Sequence, residues 1–252
     1  MKALIKLGDV AFFVIHGIMG IFGNVFSKNK LVKRAYIEQL YSFGVSSFPM
    51  VFIVAVFTGM VLIIQLVPEF KKFGAESFTG GAISLAIFRE LGPTLTAIII
   101  AGRIGSAITA ELGSMKVTEQ ISALEVMAVN PITYLVSPRI FSGIIMLPIL
   151  TIIADFLGVF GGYFIGVYKM QLVSGVYFSN MELLVTIRDV FGGLIKSFVF
   201  GIIITTVACY KGMNVKGGSE GVGKATTKSV VLSIMLILIF DFFLSYLIFV
   251  NV

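Results

Sequence analysis

Residues 45–67 read VSSFPMVFIVAVFTGMVLIIQLV, twenty-three residues without a charge. As a helix this run extends about 35 Å at 1.5 Å per residue, enough to cross a hydrocarbon core about 30 Å thick. The rest of the chain shares this character. Of 252 residues, 58% are hydrophobic and 13% charged, and the mean hydropathy is +1.04. A soluble domain carries about 25% charged residues, so much of this surface faces lipid.

Four more blocks follow the same logic. Residues 82–110 are apolar apart from Arg89, Glu90 and Arg103, and 140–168 hold only Asp155. Residues 190–210 contain Lys196, and 229–252 contain only Asp241. The pattern predicts an all-α integral membrane protein with five transmembrane helices. The first 27 residues, MKALIKLGDVAFFVIHGIMGIFGNVFS, resemble a signal peptide but contain Asp9 and lack a small-x-small cleavage site. They fit an interfacial helix better, with Lys2, Lys6 and Asp9 in water, and a sixth span is the rival. Residues 1–40 therefore form an N-terminal interfacial segment and 41–252 the membrane domain.

The placement of lysine and arginine sets the orientation. With the N-terminus in the cytoplasm, twelve basic residues fall inside and four outside, as the positive-inside rule favours. The C-terminus then lies outside. This topology also explains the net charge of +6 better than nucleic-acid binding does. Cys209 and His16 are each the single residue of their type, which excludes an internal disulfide and leaves no set of metal ligands.

Between the second and third spans, ELGSMKVTEQISALEVMAVNP (111–131) places Val117, Ile121, Leu124 and Ala128 on one helical stripe. Asn130-Pro131 is expected to stop that helix. Too short and polar to span, it either rests on lipid or docks into a partner's groove. Gly218 to Lys224, GSEGVGK, has the spacing of a phosphate-binding loop. A working loop follows a β-strand and has Ser or Thr after its lysine. Here a membrane helix precedes it and Ala225 follows Lys224. The glycines read as a flexible turn, with Lys224 and Lys228 near anionic headgroups. No ATPase site is expected, and no nucleophile–base pair suggests an enzyme.

The stretch RELGPTLTAIIIAGRIGSAITAELGSMKVTEQISALEVMAVNPITYLVSPR (89–139) resembles the signature region of the MlaE-type permeases. These are the membrane subunits of the Mla and Mce ABC lipid transporters. DFLGVFGGYFIG (155–166) and KGMNVKGGSEGVGKATTKSVV (211–231) also match. The resemblance implies a homodimer in the bacterial inner membrane that moves lipids, phospholipids being the expected cargo, between inner and outer membranes. It implies a cytoplasmic ABC ATPase that binds ATP and Mg²⁺, a periplasmic MCE-domain protein and, in some systems, a STAS-domain protein. It makes 111–128 the coupling helix, with Glu111, Lys116, Glu119, Gln120 and Glu125 as candidate ATPase contacts.

Charges inside spans cost about 2.5–3.5 kcal/mol each on insertion scales, so each calls for a reason. Arg89 and Glu90 either line a cavity for a lipid headgroup or enter a structural ion pair with Lys196. Arg103 either snorkels to phosphates or serves the dimer or helix packing. Asp155 and Asp241 are packing groups or members of the lipid path. Gly158, Gly161, Gly162 and Gly166 suit close helix contact. The sequence also admits two other functional classes: a secondary transporter using Asp155 and Asp241 as ion sites, and a non-transporting scaffold for a periplasmic partner.

Overall fold

The computed structural model describes residues 30–250 together with 13, 15–17 and 19–21. Most of the segment assigned to the interface therefore lies outside the described residues. Among the described residues the secondary structure is helical apart from the connecting turns, with no strand. The helices are α1 (Lys30–Phe43), α2 (Phe48–Lys72), α3 (Glu76–Val117) and α4 (Gln120–Val126). They continue as α5 (Ile132–Tyr168), α6 (Ser174–Leu184), α7 (Ile187–Met213) and α8 (Gly218–Val250). Five are long and apolar enough to cross a membrane, and they cover the five predicted blocks apart from residues 45–47, a turn before α2, and 251–252, which lie outside the described residues. Large side chains such as Phe52, Phe57, Phe156, Phe160, Phe242 and Phe243 are exposed, which suits a lipid surround and not water.

Several helices contain π-helical turns. In α3 these lie at Ile87–Leu91 and Ala101–Gly105; in α5 at Ile132–Val136; in α8 at Tyr246–Val250. The first has a visible cause. Pro93 lacks the N–H that an α-helix would direct at Arg89 O. One wide turn precedes it, in which the Gly92 N–H bonds Ile87 O.

The chain forms two compact units. Among the described residues, the first comprises those up to Ser47 together with 100–147 and 198–238. Its buried side chains include Ile104, Ile108, Leu112, Ile140, Phe200, Ile204 and Cys209. Gly143 of α5 and Gly201 of α7 face each other so closely that a Cβ on either would meet the other's carbonyl. Thr109 Oγ1 ties α3 to Ser229 Oγ of α8 at 2.9 Å. Because lipid offers no hydrophobic drive between helices, such close packing and interhelical hydrogen bonds hold them together.

The second unit comprises, among the described residues, 48–99, 148–197 and 239–250. Ile63, Val67, Ile83, Ile87, Val159 and Tyr177 form its core. Added Cβ atoms at Gly59 and Gly161 would collide with the backbone of Gly158 and Val56. The glycine-rich run of α5 thus serves close packing against α2. Tyr177 donates to Val159 O at 3.2 Å. Burial pushes its phenol up to about 12, against a smaller downward pull from the hydrogen bond with Ser84.

The 111–128 segment corrects one expectation. It is not one continuous helix: α3 runs on to Val117, the chain turns at Thr118–Glu119, and α4 occupies only Gln120–Val126. Glu119 has φ 60° and Ala128 φ 58°, so both ends of α4 lie at left-handed residues. Of the predicted stripe Ile121 is buried and Leu124 half-buried, whereas Val117 and Ala128 are exposed. Asn130-Pro131 also acts differently. Asn130 Oδ1 accepts the Ile132 N–H at 2.9 Å, so the pair opens α5 as a cap followed by a first-turn proline.

Candidate functional site

A polar network sits in the second unit where α3, α7 and α8 meet. Lys196 is fully buried. Its Nζ donates to Glu90 Oε2 at 2.6 Å and to Arg89 O at 2.9 Å. Asp241 Oδ1 lies 3.0 Å away as a close opposite charge, outside hydrogen-bond alignment. Arg89 Nε donates to Asp189 Oδ1 at 2.6 Å. Ser245 Oγ donates to Glu90 Oε1 at 2.9 Å. Phe249 lies under both cations, 4.7 Å from Arg89 Cζ and 5.5 Å from Lys196 Nζ.

Each position follows from local chemistry. Pro93 removes the donor for Arg89 O, and the lysine of a neighbouring helix supplies one instead. Arg89 and Glu90 are adjacent and diverge, so each takes a different partner. Asp189 was not singled out in the sequence, although Thr186-x-x-Asp189 has capping-box spacing. Its Oδ2 accepts both the N–H of Thr186 at 2.7 Å and its hydroxyl at 2.8 Å. The other oxygen is thereby directed to Arg89. Ser245 carried no signal, since a serine in an apolar helix usually bonds its own backbone.

Four of the six candidate lipid-path residues, Arg89, Glu90, Lys196 and Asp241, therefore meet in one network. The side chains of Arg89 and Glu90 remain 37% and 42% exposed, while Lys196 and Asp189 are enclosed. The geometry is that of the structural ion pair, extended to three carboxylates. It leaves the exposed edges of Arg89 and Glu90 able to meet a polar group.

Asp155 does not join it. It is buried on α5, with Oδ1 lacking a hydrogen-bond partner and packed where a side chain on Gly92 would stand. Arg103 belongs to the first unit, where Nη1 donates to Ser47 Oγ at 2.7 Å. That contact ties α3 to the turn between α1 and α2.

The coupling candidates divide. Glu111 pairs with buried Arg139 at 2.8 Å, tying α3 to the start of α5, and Arg139 also donates to Leu135 O at 2.6 Å. Glu119 accepts from Ser122 Oγ at 2.7 Å, and Gln120 donates to Thr118 Oγ1 at 3.0 Å. Glu119, Gln120 and Glu125 are exposed around α4, while Lys116 is half-buried near the end of α3.

The phosphate-loop-like run is helical. Gly218 starts α8, and Lys224 pairs with Glu220 at 2.5 Å across one turn. The turn that precedes the helix ends on two left-handed glycines, Gly217 at φ 92° and Gly218 at φ 67°. A phosphate loop needs its backbone N–H groups splayed around the anion; here they enter a helix.

The profile of the family described as Permease MlaE matches residues 36–247. A probable ABC transporter permease protein of Rickettsia typhi is 40% identical over 249 residues, covering 98% of this chain and 95% of its own. A probable ABC transporter permease protein of Synechocystis is 42% identical over 222 residues, covering 88% and 84%. The intermembrane phospholipid transport system permease protein MlaE of Haemophilus influenzae is 37% identical over 232 residues, covering 91% and 89%. Five apolar spans, a short polar helix between the second and third, and a match across nearly the whole membrane domain lead to one conclusion: the chain belongs to the MlaE permease family.

Proposed function

We propose that this chain is the membrane-embedded subunit of an ABC transporter that moves phospholipid between the inner and outer membranes of a bacterium. The supporting observation is the family match over 36–247, together with a relative named for intermembrane phospholipid transport. In this reading the chain has no ATPase site of its own. ATP and Mg²⁺ bind a cytoplasmic ABC ATPase, and α4, exposed and polar around Glu119, Gln120 and Glu125, is the surface that receives it. The chain works as a homodimer in the inner membrane with its N-terminus cytoplasmic and C-terminus periplasmic. An MCE-domain protein joins on the periplasmic side, with a STAS-domain protein on the ATPase.

Transport then consists of switching between states whose lipid cavity opens differently, biased by nucleotide-driven movement of the ATPase. The polar network lines the path at its exposed edge, through Arg89 and Glu90, and braces α3, α7 and α8 through Lys196. The test is reconstitution of the chain with its ATPase and MCE-domain partner in one vesicle population. Fluorescent phospholipid should exchange with a second population only when ATP is present. Exchange by the chain alone under a pH gradient would reject this reading in favour of an ion-driven transporter.

A further inference from the structure

One cavity lies apart from the charged network and from α4. It measures about 160 Å³ and is lined by Lys71 at the end of α2, Glu76 and Ser77 at the start of α3, Gln171 and Leu172 after α5, and Tyr177 of α6. All of these belong to the second unit. The volume holds several waters or one compact polar group.

Its charges are unspent. Lys72 is taken by Glu69 at 2.8 Å, whereas Lys71 makes only a long 3.5 Å contact with Met170 O. Among the described residues neither Lys71 nor Glu76 enters an ion pair. A cation and an anion thus border one cavity without neutralising each other. Gln171 adds a polar side chain from φ 59°, a conformation residues with a β-carbon seldom adopt. Leu172 and buried Tyr177 supply an apolar base. The cavity also sits where two spans end, at Lys72 and Tyr168, the depth at which headgroups lie.

A lone anion here would face Glu76, and a lone cation would face Lys71. A group carrying both charges a few atoms apart answers both. We propose that this cavity binds a phosphate–ammonium zwitterion of the phosphoethanolamine type, phosphate toward Lys71 and ammonium toward Glu76. The group arrives on a lipid or as the free ester. The site does not depend on the transport reading.

Cysteine labelling tests it on the full chain without any ATPase. Ser77→Cys places a thiol on the cavity wall, and unreacted Cys209, fully buried, reports that each variant is folded. In nanodiscs, phosphatidylethanolamine should slow maleimide labelling about fivefold relative to phosphatidylglycerol, the scale of a partly exposed charge pair. Lys71→Glu or Glu76→Lys should each remove the difference. In detergent, slowing by soluble phosphoethanolamine but not by inorganic phosphate supports the site with the free ester as a source. Slowing by the lipid alone supports it with lipid as the source. Equal rates in all lipids and with the ester, or no effect of either charge reversal, overturn the proposal. Transport activity would be untouched by that failure.

Discussion

Lys196 Nζ donates to the main-chain carbonyl of Arg89 at 2.9 Å, the acceptor that Pro93 leaves without its helical partner. A proline in a span and a buried lysine on another helix are thereby two halves of one arrangement. Glu90 and Asp241 then balance the charge the lysine brings.

Removing the lysine alone should be costly. Lys196→Met leaves two carboxylates and a carbonyl without their cation, and the predicted loss is about 3 kcal/mol, the range for breaking a buried pair. A thiol-reactive dye that reports exposure of Cys209 on heating measures it. Adding Glu90→Gln and Asp241→Asn should recover part of the loss, because the stranded charges are gone.

Gly92 and Asp155 should be energetically coupled. Gly92→Ala places a methyl where Asp155 Oδ1 now stands, with a predicted cost of about 1–3 kcal/mol from overpacking. In the Asp155→Ala background the same change should cost less, giving a coupling energy of about 0.5–3 kcal/mol. Additive single and double variants would contradict the contact.

The contact between α2 and α5 predicts a contrast between glycines. Gly59→Ala meets the Gly158 backbone, while a Cβ at Gly102 meets nothing within 4 Å. The first should lower the unfolding midpoint clearly, and Gly102→Ala should stay within about 0.5 kcal/mol of the parent.

If α4 receives the ATPase, charge reversal there should uncouple the complex without harming insertion. Glu119→Lys with Glu125→Lys should abolish ATPase co-purification or lipid-stimulated ATP hydrolysis, while the chain still elutes as a folded species. Normal assembly and transport in the double variant would exclude this role for α4.

Hydropathy alone made the spans readable, because 20-residue apolar runs have few other uses. The partnership of Glu90 and Lys196 was readable as one of two options, since buried charges seek partners. Asp189 escaped notice because its role depends on a cap, Thr186, that orients it toward Arg89. The contact of Arg103 with Ser47 was equally hidden: an apolar helix gives no stripe to show which of its faces meets the turn between α1 and α2. The break at Glu119 defeated the periodicity reading, as the four-residue stripe continues in sequence across a backbone that reverses hand.

That break bears on mechanics. With a left-handed residue at either end, Glu119 and Ala128, the seven-residue α4 resembles a link pinned at two joints. Such a link conveys displacement along its length while absorbing rotation, so a body leaning on it would shift the flanking membrane helices without twisting them.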